Sequence, residues 1–161
     1  MWEQLRRFSA LDGDARWMFV RAVVLLPLIS LSLRIRGFRF TQGALQKLAA
    51  GTKRPRVHRS SCRGCSSSRR PQSQLAARMV RAAARRSLIK TGCLEESLAL
   101  WFLLRREGIA ADLRIGARKI AGNFDAHAWV ECDGEALNQV EEVHRHYAVF
   151  DGLASVLAEA R

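Results

Sequence analysis

GCLEESLALWFLLRREGIAADLRIGARKIAGNFDAHAWVECDGEALN, residues 92–138, is the stretch that decides the fold. Its first part places Cys93 just ahead of a long apolar run, and its second part places His127 in an alternating segment. A thiol nucleophile needs a base, and the two can come from distant positions that the fold brings together. The interpretation of the rest of the chain therefore depends on these two residues.

The apolar run after Cys93 predicts a buried helix. From Leu94 to Leu104 the apolar residues recur at three- and four-residue spacing, which is the helical period. Glutamates occupy the first turn and arginines the last, as the helix dipole favours, and Gly108 is expected to end the helix. Cys93 then lies at the helix N-terminus, where unpaired N–H groups favour a thiolate and can hold an oxyanion. The nearby glutamates partly oppose that effect, so an adjacent base is still needed.

Two strands and a hairpin are predicted after the helix. Residues 112–118 and residues 125–132 alternate apolar and polar side chains, which is typical of half-buried strands. Asp133-Gly134 between the second strand and residues 135–138 is a strong signal for a two-residue hairpin. A last strand is expected at residues 147–150, and a short helix at residues 153–160.

The hairpin predicts a register that concerns Asn138. With a two-residue loop, Trp129 opposes Asn138, and opposed residues share one face of the sheet. Asn138 then lies on the face of His127 and is the candidate to orient the imidazole and fix its tautomer. A one-residue bulge would give this role to Gln139.

These motifs resemble the transglutaminase-like cysteine peptidase of lasso peptide biosynthesis, the leader peptidase called the B protein or its C-terminal half. The resemblance rests on Cys93 entering the Leu/Trp-rich helix, on residues 103–109 and 113–119, and on His127-Ala128-Trp129-Val130-Glu131 with its hairpin. It is close from about residue 87 to residue 138 and looser over the N-terminal part. It implies an α+β fold, in which N-terminal helices precede a transglutaminase/papain-like core with the nucleophile helix packed on a small antiparallel sheet.

The resemblance also implies a Cys–His–Asp triad and an activity. Cys93 and His127 match the pattern, whereas Asn138-Gln139 stands where an aspartate is expected, and Asn138 is kept as the predicted third catalytic residue. The implied activity is that of a hydrolase, a cysteine endopeptidase that removes the leader from a ribosomally made precursor peptide. An ATP-dependent lactam synthetase would then close the freed amine onto an acidic side chain. Neither a metal nor an organic cofactor is required for this chemistry.

The length and composition predict three regions: a helical region at residues 1–50, a basic flexible linker at residues 51–73 and the peptidase domain at residues 74–161. The chain is short for a peptidase that also carries leader recognition, so a separate leader-recognition protein is predicted. Residues 17–33 predict a buried or interfacial helix, ending near Gly37, in preference to a membrane span. Residues 41–51 predict a second short helix.

Two features of the basic part leave alternatives open. Cys62 and Cys65 beside His58 are interpreted as incidental thiols in preference to half of a zinc site, because no second Cys/His pair of suitable spacing follows. The net charge of +12 suggests an acidic partner: a peptide, an anionic membrane or a nucleic acid. No recognition motif favours nucleic acid, whereas peripheral membrane contact stays open.

The first apolar run lies too deep for a signal peptide, which predicts a cytoplasmic protein. Two alternative functions are considered beside the peptidase. One is a catalytically inert transglutaminase-like scaffold. The other is a basic protein that binds nucleic acid or a membrane surface.

Overall fold

A computed structural model describes residues 12–51, 69–87, 89–120, 123–138 and 146–149. Within these ranges the chain forms three helices and a small antiparallel sheet of four strands, which confirms the predicted α+β class. The predicted C-terminal helix, Gln139 and the loop with Cys62 and Cys65 lie outside the described residues.

The helices come first in the chain and the strands follow. The helices are α1 (Gly13–Ala50), α2 (Arg69–Ala84) and α3 (Cys93–Arg106). The strands are β1 (Asp112–Ile120), β2 (Asn123–Cys132), β3 (Glu135–Ala136) and β4 (Ala148–Val149). Their spatial order is β3-β2-β1-β4, and each neighbouring pair is antiparallel.

α1 contains the two helices that the sequence predicts, joined at a sharp kink. Gly37 has φ 75° and ψ 178°, a conformation that glycine adopts far more readily than other residues. The Thr41 hydroxyl donates to the Gly37 carbonyl at 2.8 Å and lies 2.8 Å from the Ser32 hydroxyl, so polar contacts link the segments on the two sides of the kink. The break predicted near Gly37 is therefore confirmed, and the helical run also includes the residues before the apolar run 17–33, beginning at Gly13.

α3 ends as the sequence predicts. Gly108 has φ 74°, and its N–H donates to the Arg105 carbonyl at 3.1 Å. The Ile109 N–H donates to the Leu104 carbonyl at 2.9 Å, which completes a Schellman motif. Every residue from 97 to 104 is buried, so α3 is enclosed by the rest of the described structure.

The sheet register at the hairpin is the predicted one. Asp133 and Gly134 both have positive φ, 53° and 78°, which is the geometry of a type I′ turn. Glu131 pairs with Ala136, although β3 is only two residues long and ends before Asn138.

One hydrophobic core joins the three helices to one side of the sheet. It contains Leu26 and Ile29 of α1, Val80 of α2, Leu100 of α3 and Val130 of β2. The division into regions 1–50, 51–73 and 74–161 stays a prediction; α2 begins at residue 69, within the predicted linker.

Candidate active site

Cys93 is the first residue of α3, and no side chain of the N-cap residue bonds to the N–H groups at this end of the helix. The N-cap is Gly92, which has no side chain to accept the first N–H groups of the helix, and the Gly92 N–H itself donates to Glu95 Oε2 at 3.0 Å. In an α-helix the N–H groups of Cys93, Leu94 and Glu95 have no intrahelical carbonyl to bond. The Cys93 side chain is half-buried and free of any disulfide.

His127 lies in the middle of β2, directly opposite Gly116 of β1. Its imidazole is half-buried and packs against two aromatic rings that also contact each other, with 6.3 Å between their centroids. The Trp129 ring stacks at 6.2 Å between centroids, and the Tyr147 ring is tilted at 5.4 Å. These contacts hold the imidazole on the face that Trp129 and Glu131 share with it.

Gly116 makes room for this aromatic cluster. A Cβ at Gly116 would lie 2.9 Å from the Tyr147 Cβ, 3.0 Å from the Ala148 carbonyl and 3.1 Å from the Trp129 ring. Real Cβ atoms do not approach other heavy atoms at 2.9 Å, so a larger residue would displace Tyr147. The absence of a side chain at this one position lets Tyr147 pack beside His127.

Tyr147 is held by a carboxylate on the same strand as His127. Its hydroxyl donates to Asp125 Oδ2 at 2.7 Å, and Arg118 Nε donates to the same oxygen at 2.9 Å. The Arg118 guanidinium also lies 4.4 Å above the Tyr147 ring. Asp125 precedes His127 by two residues on a strand, so the two side chains lie on one face.

Burial and these charges decide the protonation of the cluster. Partial burial lowers the pKa of His127, and Arg118 adds to that effect while the Asp125 carboxylate opposes it. The pKa of Asp125 is lowered, chiefly by the hydrogen bonds from Tyr147 and Arg118. Desolvation raises the pKa of Tyr147, and the hydrogen bond to Asp125 adds to the rise. The lowered pKa of His127 favours the neutral imidazole.

Ser97 ties α3 to β2 close to both Cys93 and His127. Four positions after Cys93, it lies one turn further along the same side of the helix. Its buried hydroxyl donates to the carbonyl of Ala128, the residue after His127, at 2.9 Å. The start of α3 is thus fixed against the middle of β2 by a hydrogen bond one turn from the thiol.

Asn138 completes this link. Its Nδ2 donates to Ser97 Oγ at 2.8 Å, and its Oδ1 accepts the Val130 N–H at 2.9 Å. The side chain thereby takes the place of a ladder partner where β3 has ended, since the Leu137 N–H still donates to the Val130 carbonyl. A direct role of Asn138 in orienting His127 stays a prediction.

Trp129 is fixed by a second set of polar contacts. It is 0 % exposed, and its indole N–H donates to Glu131 Oε1 at 2.8 Å. The other oxygen of Glu131 accepts from Arg114 Nε at 3.1 Å. A buried tryptophan whose N–H is satisfied forms a rigid wall for the imidazole.

Three residues of the site were missed by sequence reasoning: Ser97, Asp125 and Tyr147. Ser97 interrupts the apolar run of α3, and a hydroxyl four residues after a nucleophile was a signal that could have been used. Asp125 stands two residues before His127, which places it on the same strand face. Tyr147 is the single tyrosine of the chain, but its position beside His127 depends on the pairing of β4 with β1.

In the described ranges, no group of three or more His, Cys, Asp or Glu side chains is arranged to hold a metal ion. The second cysteine described, Cys132, donates from its Sγ to the Ala110 carbonyl at 3.4 Å. The arrangement that remains is a thiol at an uncapped helix N-terminus and an imidazole on the strand against which that helix is fixed.

Residues 25–150 match the model of the transglutaminase-like superfamily, and the chain belongs to that superfamily. The superfamily includes cysteine peptidases and transglutaminases. Comparisons with curated proteins and with solved structures found no match.

Proposed function

We propose that this protein is a cysteine peptidase that removes the leader from a ribosomally synthesised precursor peptide during lasso peptide maturation. The observation that carries the proposal is the position of Cys93, at the uncapped N-terminus of a buried helix that Ser97 fixes against the strand of His127. Membership of the transglutaminase-like superfamily supports the class of chemistry. The resemblance of residues 87–138 to the leader peptidases supports the substrate.

The mechanism uses Cys93 as the nucleophile and His127 as the base. His127 takes the proton from the Cys93 thiol, and the thiolate attacks the carbonyl carbon of the scissile peptide bond. The N–H groups at the start of α3 stabilise the oxyanion, since Gly92 supplies no side chain that would cap them. His127 then protonates the leaving amine, and water hydrolyses the thioester to release the leader and regenerate the thiol.

The state of His127 suits the first of these steps. A base must be neutral before it accepts a proton, and burial shifts the pKa of His127 downward, so the neutral imidazole is the main form near pH 7. Trp129 and Tyr147 restrict the orientation of the ring.

The proposed partners follow from the same function. The substrate is the precursor, leader plus core. A separate leader-recognition protein presents it, and an ATP-dependent lactam synthetase acts on the product. The reaction is proposed to take place in the cytoplasm.

The test is mass spectrometry of the precursor peptide encoded beside this gene, incubated with the protein and its leader-recognition partner. The wild type is expected to cut at one site, and Cys93→Ala and His127→Ala are expected to abolish cleavage. Cys132→Ala is the matched control, because it removes another described free thiol that lies away from the helix start, and it should retain full activity.

Absence of cleavage by the folded wild type, with the leader shown to be bound, would refute the peptidase. The scaffold function would then take first place. Cleavage that survives Cys93→Ala would refute the assigned nucleophile.

A further inference from the structure

The outer face of α1 carries a continuous stripe of exposed apolar side chains, here called the α1 stripe. It consists of Trp17, Val20, Val24, Leu28, Leu31 and Ile35. At about 100° per residue the six positions fall within about 80° of arc, and at 1.5 Å per residue the stripe is about 27 Å long. Leu28 is 58 % exposed and Ile35 is 69 % exposed. An exposed apolar surface of this length marks an interaction site.

The opposite side of α1 is already occupied. Ala22, Leu26 and Ile29 are buried in the core shared with α2 and α3. The Arg21 guanidinium also pairs with Glu107, just after α3, at 2.8 Å. The α1 stripe is therefore a second apolar face, which the packing of the described residues leaves uncovered.

The charge along α1 is mostly positive. Between Asp14 and Glu95 the sequence contains no acidic residue, and most of the chain's 27 lysines and arginines lie in that interval. By helical position, Arg16 and Arg34 flank the stripe on one side, and Arg21, which is paired with Glu107, flanks it on the other. The stripe thus has arginines along both borders.

Aromatic and cationic side chains also meet elsewhere along α1. The Arg21 guanidinium lies 4.8 Å from the centroid of the Trp17 ring, and the Arg36 guanidinium lies 4.7 Å from that of the Phe40 ring. Apolar residues on one face with arginine borders and a tryptophan are the pattern of helices that lie in the membrane interface.

We propose that the α1 stripe binds the surface of an anionic lipid bilayer, with α1 lying in the plane of the interface. The apolar side chains enter the region between headgroups and acyl chains, and the flanking arginines contact anionic headgroups. The proposal does not depend on the proposed function.

A transmembrane orientation is less compatible with the packing. By length and composition α1 is apolar enough to cross a membrane. Crossing would carry the packed helices α2 and α3 into the hydrocarbon with charged residues such as Arg78 and Glu107, which is costly. Lying in the interface buries the α1 stripe and leaves every core contact intact.

Charge also favours a lipid surface over other occupants. A second copy of this chain would bring two strongly cationic surfaces together, which charge repulsion opposes. A nucleic acid would match the arginines but would leave the α1 stripe in water. An anionic bilayer satisfies both the charge and the apolar surface.

The experiment is co-sedimentation of the full chain with large unilamellar vesicles, made either of phosphatidylcholine alone or of equal parts phosphatidylcholine and phosphatidylglycerol. Binding is expected to the phosphatidylglycerol vesicles and to weaken with salt. Leu28→Glu with Ile35→Glu should lower the partition coefficient about a hundredfold or more, since each change removes an apolar side chain that the bilayer buries in the proposed bound state. Arg34→Gln should lower it about fivefold.

The matched control is Phe124→Glu, which removes an apolar side chain that is 81 % exposed but lies on β2. This variant and Cys93→Ala should bind as the wild type does. Circular dichroism spectra establish that each variant is folded.

Three outcomes would overturn the proposal: no binding of the folded wild type to anionic vesicles, binding that the double variant retains, or a dimer in solution that the double variant dissociates. The last would show that the α1 stripe is an interface between two copies. Cleavage of the precursor is measured separately, so failure of membrane binding and failure of the peptidase are distinguishable.

Discussion

At the scale of single residues, His127 is the group whose chemistry the surroundings change most directly. Its imidazole packs against the rings of Trp129 and Tyr147, and its pKa responds to two opposite charges, those of Asp125 and Arg118. Burial has the largest effect on its pKa and favours the neutral form. The neutral imidazole, which is the form that accepts a proton, is therefore present at a lower pH than in a free histidine.

The pH profile of cleavage follows from this shift. The acidic limb of kcat/KM is expected to have its midpoint below 6.5, the ordinary pKa of histidine, because the neutral imidazole persists to lower pH. Asp125→Asn removes a charge that favours the imidazolium, so the limb should move to still lower pH. The measurement is kcat/KM for the precursor between pH 4.5 and pH 8.

The same shift affects stability. Between the folded-state pKa and 6.5, the unfolded chain binds more protons at this position than the folded chain does, so the free energy of unfolding rises with pH through that window.

The pH profile of kcat/KM can contradict the assigned electrostatics in two ways. The midpoint of its acidic limb could lie above 6.5 in the wild type, or that midpoint could move to higher pH in Asp125→Asn.

At the scale of secondary-structure elements, the contact between α3 and β2 decides whether the thiol and the imidazole meet. α3 is an enclosed helix whose position would otherwise depend on apolar packing, which is not directional. The hydrogen bonds from Ser97 to Ala128 and from Asn138 to Ser97 add direction, and they lie one turn from Cys93. The polar link fixes the register of the helix against the strand.

Ser97→Ala tests this link. The change leaves the Ala128 carbonyl and the Asn138 amide without the Ser97 hydroxyl, which should lower the free energy of unfolding by about 1–3 kcal/mol. It should also lower kcat more than it raises KM, because the substitution moves the nucleophile relative to its base. Urea unfolding and steady-state kinetics measure the two effects.

Ser30→Ala is the matched control. Ser30 is a buried serine of α1 whose hydroxyl has no hydrogen-bond partner in the described part of the protein. Removing that hydroxyl should leave stability and kinetics nearly unchanged. If Ser97→Ala behaved in the same way, the proposed role of the link would be wrong.

At the scale of the whole molecule, α1 is part of the core that supports the site. Leu26 and Leu28 are two residues apart on the same helix, yet Leu26 is 0 % exposed in the shared core and Leu28 belongs to the α1 stripe. The N-terminal helix therefore has a structural face and a separate outward face. The buried face packs in one core with α3 and stabilises it. The exposed face is the one proposed to bind a membrane surface.

Leu26→Ala should lower the free energy of unfolding of the whole chain by about 2–5 kcal/mol, because it leaves a cavity in the core. Leu28→Ala should change it by less than about 0.5 kcal/mol, since the side chain is exposed. The measurement is urea unfolding monitored in parallel by far-ultraviolet circular dichroism and by tryptophan fluorescence. Two separate transitions, with Leu26→Ala affecting one alone, would show that residues 1–50 fold as an independent region.

Much of the fold could be predicted because its signals are local. The apolar period of residues 94–104, the stop at Gly108 and the Asp133-Gly134 turn depend on neighbouring residues, and all three predictions are confirmed. The end of a helix near Gly37 was predicted for the same reason, and the structure has a kink at that residue. Helical periodicity and turn chemistry act within a few residues, so the sequence contains them directly.

The arrangement around the imidazole depends on long-range pairing instead. Tyr147 reaches His127 because β4 pairs with β1 beside Gly116, and Ser97 reaches Ala128 because α3 packs against β2. Asn138 was expected to face His127 as a continuation of the hairpin, and its described bonds go to Ser97 and Val130, where β3 has already ended.

The sequence by itself determined the elements, the superfamily resemblance and the two residues, Cys93 and His127, on which the chemistry is proposed to rest. The tertiary structure decided which side chains surround them and that α1 has a buried face and an exposed one. The physical reason is that backbone conformation follows from local sterics and hydrogen bonding. Contacts between distant segments follow from how apolar faces pack and where a strand happens to end.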